Sequence, residues 1–159
     1  MPRLFPMLGL SLALAVAARA AEVNFVRVWP GWYDAESFKW ISEYFTGMED
    51  TGGKIIRRTQ PGERQGYYFV VRVKNIGASC VGAKFVLQVV TPKSADPLSY
   101  SFAADVPSGS NLFNLGLTGA DWPGAKVRPV AWRLDLVAAD GRILASQQSF
   151  LWAMPQGAQ

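Results

Sequence analysis

Glu36 and Glu43 are the two carboxylates whose spacing comes closest to catalytic chemistry. Seven residues on a helix is nearly two turns, which puts both on one face about 10 Å apart. Inverting glycosidases hold their acid and base roughly 6.5–9.5 Å apart. Any solvated helix face shows the same spacing, so no catalytic role is assigned to the pair. Glu49 and Asp50 with Asp34 lack the D-x-D-x-D-G order of a calcium loop and read as solvated positions. The nucleophiles have no activator. The chain contains no His, which removes the commonest general base and metal ligand. Cys80 is the single cysteine, so an intramolecular disulfide is excluded. It reads as a small buried or turn residue rather than a link between chains. Ser37 and Lys39 stand two apart on the same helix and diverge. The patterns G-x-S-x-G, G-x-x-x-x-G-K-[ST] and G-x-G-x-x-G are absent. Gly52-Gly53-Lys54 leads into a strand, so it presents no helix N-terminus to a phosphate. The expectation is a non-enzyme with no catalytic residue, no metal and no cofactor.

The densest chemical feature is aromatic. Trp29, Trp32, Tyr33, Phe38, Trp40, Tyr44 and Phe45 fall within seventeen residues, and Trp122 stands in a loop. Trp and Tyr give large, rigid contact area and dominate interface hot spots. The candidate binding surface is therefore Trp32, Tyr33, Trp40, Tyr44 and Trp122. Two readings stay open for it. The aromatics bind a partner, or the helix buries Phe38, Ile41 and Phe45 on the sheets while Trp122 plugs one end. The expected partner is an envelope protein, met through the aromatic surface or an exposed strand edge. The alternative is a polysaccharide, stacked on Trp32, Tyr33 and Trp122.

The elements that must carry these residues follow from hydrophobic period. Asp34 as N-cap and Gly47 as C′ residue bound a helix over 34–46. Phe38, Ile41 and Phe45 form its apolar face, which is expected to cover an open end or edge of the sheets. The remainder alternates with period two. Tyr67, Phe69, Val71 and Val73 share one face of a strand, and Ala83, Phe85, Leu87 and Val89 one face of the next. Asn75–Ser79 turns between them. Further strands are expected at 21–29, ended by Pro30-Gly31, at 54–60 as an edge, and at 98–106 after a loop over 92–97. Others are expected at 112–117, at 130–137 with Val130, Trp132, Leu134 and Leu136 inward, and at 143–152 after an Asp140-Gly141 turn. Seven or eight strands with one inserted helix point to a mainly β, antiparallel Ig-like β-sandwich.

The N-terminus gives an address. Arg3, the apolar run 8–17 and Ala18-Arg19-Ala20 have the form of a signal peptide cut after Ala20. The expected product is one domain over 21–154 with a frayed tail at 155–159, periplasmic or secreted, with no membrane span after cleavage. Losing Arg3 and Arg19 leaves fourteen basic against twelve acidic residues, a net charge of +2. The basic residues are scattered, with Arg57-Arg58 the one adjacent pair, so no nucleic acid is expected.

Phe69-Val70-Val71-Arg72-Val73-Lys74-Asn75-Ile76-Gly77 resembles the V-x-V-x-N-x-G strand and turn of bacterial immunoglobulin-like sandwich modules of the CARDB type. The similarity spans roughly 67–117. It implies an Ig-like fold and an extracytoplasmic setting, and it implies no catalytic residues. A helix between the first strands and a twelve-residue loop before the last hairpin are not features of the plain module.

Overall fold

A computed structural model describes residues 22–153. The expected signal peptide (1–20) and the tail (155–159) lie outside the described residues. Eight strands form two four-stranded sheets. They are β1 (Val23–Tyr33), β2 (Ile55–Arg58), β3 (Gly66–Asn75), β4 (Cys80–Thr91), β5 (Ser94–Val106), β6 (Gly109–Thr118), β7 (Ala131–Val137) and β8 (Ile143–Gln148). One sheet has the order β1-β3-β6-β2, the other β5-β4-β7-β8. The pairs are antiparallel except for β2, which runs parallel to β6. The chain is thus mainly β and sandwich-like, as the period-two pattern predicts.

The inner faces also follow that pattern. Tyr67, Phe69, Val71 and Val73 of β3 and Ala83, Phe85, Leu87 and Val89 of β4 are all buried. Yet β3 and β4 belong to different sheets, so the link after Asn75 carries the chain across the core. Asn75 is buried and holds that crossing. Its Nδ2 donates to the carbonyls of Ala78 (2.9 Å) and Val106 (3.2 Å), and its Oδ1 accepts from the Gly77 N–H (3.0 Å). An Asn side chain that mimics backbone in this way fixes the turn and staples it to the end of β5. The two sheets then meet through rings. Phe85 of β4 lies 4.9 Å from Phe113 of β6 and 6.1 Å from Phe25 of β1.

Several boundaries differ from expectation, each for a local reason. β1 does not end at Pro30-Gly31 but continues to Tyr33. β5 begins at Ser94, so residues 94–97 are strand and only Pro92-Lys93 turn. Both strands lie at sheet edges, where the N–H that proline lacks is not required by a neighbour. Val130, expected inward, lies just before β7 and is exposed, as is Leu98 of β5. The last strand stops at Gln148, and a helical turn, Phe150–Ala153, follows.

The largest correction concerns the helix. Residues 34–46 are not one helix but a 3-10 turn, Ala35–Phe38, and a six-residue helix α1 (Ile41–Thr46), with Lys39 and Trp40 extended between them. Asp34 does cap, accepting from both the N–H (2.9 Å) and the Oγ (2.7 Å) of Ser37, and Gly47 does end α1 in the left-handed region. Phe38 is buried, but Ile41 and Phe45 are exposed, so the apolar stripe is not buried as a unit. Phe38 packs on the outer face of the β1-β3-β6-β2 sheet, where Tyr33 and Arg58 end its two edge strands. A helix this short gains little from propagation, and the burial of one aromatic ring overrides it.

Candidate functional site

The outer face of the β1-β3-β6-β2 sheet is built around Tyr68. Register places Gly31, Tyr68, Gly116 and Arg58 in one row across the four strands. The missing Cβ of Gly116 leaves room for the Tyr68 ring to lie along the sheet. A Cβ at Gly116 would stand 2.4 Å from that ring. Phe38 covers Tyr68 at a centroid distance of 4.6 Å, and Tyr33 meets it edge-on at 5.7 Å. The Arg58 guanidinium lies 5.2 Å from the Phe38 ring centre, and its Nε donates to the Tyr68 hydroxyl at 2.8 Å. That hydroxyl donates in turn to the Arg64 carbonyl at 2.6 Å.

Two arginines tie the helical segment to this base. Arg58 makes a two-pronged contact with Glu49 at 3.0 and 2.6 Å, just past α1. Arg64 pairs with Glu43 of α1 at 2.6 Å. The arginine hydrogen bonds hold both carboxyls below their ordinary value of 4.5. Burial pushes the Tyr68 hydroxyl up. A lowered folded pKa stabilises above the unfolded value and loses that contribution as pH falls through the folded one. Glu49→Gln is therefore expected to lower the melting temperature at neutral pH. The gap from wild type is expected to close in acid, below the folded pKa of Glu49. Melting curves across pH check this; a gap that persists in acid would mean that the charge of Glu49 is not what matters.

The five candidate surface residues separate. Trp32 and Tyr33 lie on β1, not in a loop, and alternate. Trp32 is half-buried against the core opposite Tyr67, while Tyr33 turns outward under Phe38. Trp122 is not on the surface. It is 5 % exposed and stacks on Tyr67 at 4.7 Å, held by the 3-10 turn Gly119–Asp121. This is the plug position, because an indole in contact with Tyr67 gains more from burial than from water. Its Nε1 is buried with no hydrogen-bond partner among the described residues. Trp40 and Tyr44 are exposed. They share a short segment with Ile41 (78 % exposed), Phe45 (85 %) and Met48 (72 %). Lys54 Nζ lies 5.8 Å from the Trp40 ring centre, and a shallow depression beside them is lined by Lys39, Glu43 and Tyr44.

The carboxylate pair does not assemble. Glu36 sits on the 3-10 turn and pairs with Lys39 at 2.6 Å, while Glu43 belongs to α1 and pairs with Arg64. Each is neutralised by its own cation. Among the described residues no group of three or more His, Cys, Asp or Glu is placed to hold a metal ion, and no helix is long and apolar enough to cross a membrane. Comparison with protein-family models and with curated proteins gives no match.

Proposed function

We propose that the chain is a non-catalytic, exported interaction module of Ig-like sandwich type that binds a protein of the cell envelope. Its contact surface is the knob formed by Trp40, Ile41, Tyr44, Phe45 and Met48. The observation that carries this reading is the exposure of five large apolar side chains within nine residues. Exposed apolar patches of this kind mark interaction sites. A second feature supports it: the knob is held on the sheet by the Arg58–Glu49 and Arg64–Glu43 pairs and by Phe38. A contact surface held in place before binding loses less entropy on association. The polysaccharide alternative keeps less support, since Trp122 is buried and Trp32 half-buried.

The test is capture from an envelope extract on the immobilised chain, beside a Tyr44→Ala/Phe45→Ala variant. A protein retained by wild type and lost from the variant is expected, because truncating two hot-spot aromatics costs about 2 kcal/mol or more each. Equal retention by both would overturn the assignment of the knob.

A further inference from the structure

The outer face of the same sheet carries a second surface, away from Tyr68. In β1 the register slips between Phe25 and Arg27, leaving Val26 as the extra residue. Before the slip Phe25 lies opposite Val73 and faces the core; after it, Arg27 lies opposite Arg72 and Val28 opposite Val71. The bulge thereby turns Arg27 and Trp29 outward, which an unbroken alternation from Phe25 would not do. Arg27 and Arg72 are both exposed, and their guanidiniums lie 5.1 and 5.6 Å from the Trp29 ring centre. Lys74 follows two residues after Arg72 on the same face and is also exposed. Like charges directly opposite on adjacent strands destabilise a sheet. Among the described residues none of these three cations is in an ion pair with a carboxylate.

We infer that Arg27, Arg72 and Lys74, aligned by Trp29, form a docking face for an extended acidic segment of a partner protein. The complementarity is one of charge and of repeat. Residues i and i+2 of a strand are about 6.6 Å apart on one face. Carboxylates alternating along an extended peptide therefore match the spacing of Arg72 and Lys74, with Arg27 able to reach from the neighbouring strand. Both guanidiniums already lie against Trp29. This face is separate from the knob and does not depend on it.

A fluorescently labelled peptide of alternating Glu and Thr, titrated with the full chain at low salt, tests the inference by anisotropy. Saturable binding that weakens as salt rises is expected. Arg27→Ala/Arg72→Ala is expected to weaken it about tenfold or more with no fall in melting temperature, because a repulsive pair has been removed. Lys84→Ala, an exposed cation on the other sheet, and Tyr44→Ala/Phe45→Ala are expected to leave peptide affinity unchanged. Absence of binding at low salt, or equal affinity of the Arg27→Ala/Arg72→Ala variant, would overturn the inference. So would tighter binding to polygalacturonate than to the peptide, which would point to an anionic glycan. A fall in the variant's melting temperature with peptide affinity intact would reduce the Arg–Trp–Arg stack to a structural role.

Discussion

Phe69→Ala is expected to lower the free energy of unfolding by about 3–5 kcal/mol. Phe69 is fully buried at the centre of β3. Its ring meets Tyr67 on its own strand at 5.7 Å and Trp132 of the opposite sheet at 5.5 Å, both edge-on. Removing it takes away contacts that join the two sheets, and neighbours held in β3, β6 and β7 cannot close the space. For a domain of this size the loss corresponds to a fall in melting temperature of about 10–20 °C. Denaturant unfolding followed by intrinsic fluorescence measures it. A loss below about 1 kcal/mol would mean that the site collapses freely, against the fully buried packing described here.

Phe69 also shows what was legible in the sequence. Its inward facing follows from period two alone, as does that of Val71, Val73, Phe85, Leu87, Phe113, Leu115, Leu134 and Leu136. A one-residue slip would send each set to solvent, so the pattern and the buried faces must agree. What failed was the punctuation. Pro30 and Pro97 look like terminators until it is known that β1 and β5 are edge strands, and edge position is a property of the sheet, not of the strand. The blurred alternation of Val23, Phe25, Val26 and Val28 has a single cause, the bulge at Val26. The 34–46 helix satisfied both its capping rules and its period, yet the chain spends Phe38 on the sheet and leaves Ile41 and Phe45 in water.

The candidate surface was legible in part. Trp40 and Tyr44, which belong to the aromatic density visible in the sequence, are exposed. For Trp122 the sequence left surface and plug both open, because a loop position says nothing of whether the loop folds over an open end; its burial favours the plug. Tyr68 and Arg64 drew no attention in the sequence, and Glu49 read as a solvated position although it pairs with Arg58. An aromatic on the polar face of a strand is a weak signal until the register shows Gly116 beside it on the neighbouring strand. Arg58 stood out only as half of the Arg57-Arg58 pair. The two side chains part: Arg57 reaches the Ala103 carbonyl of β5 at 3.0 Å, while Arg58 takes Tyr68 and Glu49. Alternation along β2 separates them, so their adjacency was never a basic cluster.

Tyr68→Ala is the second large effect expected, again about 3–5 kcal/mol, and it acts on the function as well as the fold. The fully buried Tyr68 ring is the floor on which Phe38 and Tyr33 rest. Its hydroxyl bridges the Arg58 side chain and the Arg64 backbone. Truncation removes the floor and the bridge together, so the segment carrying Trp40, Tyr44 and Phe45 is left with its ion pairs to Arg58 and Arg64 and the contacts of Phe38 with Arg58 and Tyr33. Tyr68→Phe separates the two contributions. It keeps the ring and leaves the Arg58 Nε and Arg64 carbonyl short of one partner each, a loss of about 1–3 kcal/mol. Limited trypsin digestion reads the local effect, since Lys39 and Lys54 flank the knob. Cleavage at these lysines is expected to accelerate strongly in Tyr68→Ala and slightly in Tyr68→Phe. If the two variants lose the same stability and are cut at the same rate, the hydrogen bonds rather than the ring hold the segment. If neither is cut faster than wild type, the segment owes its position to Arg58–Glu49 and Arg64–Glu43 alone, and the knob would stay ordered without the aromatic floor beneath it.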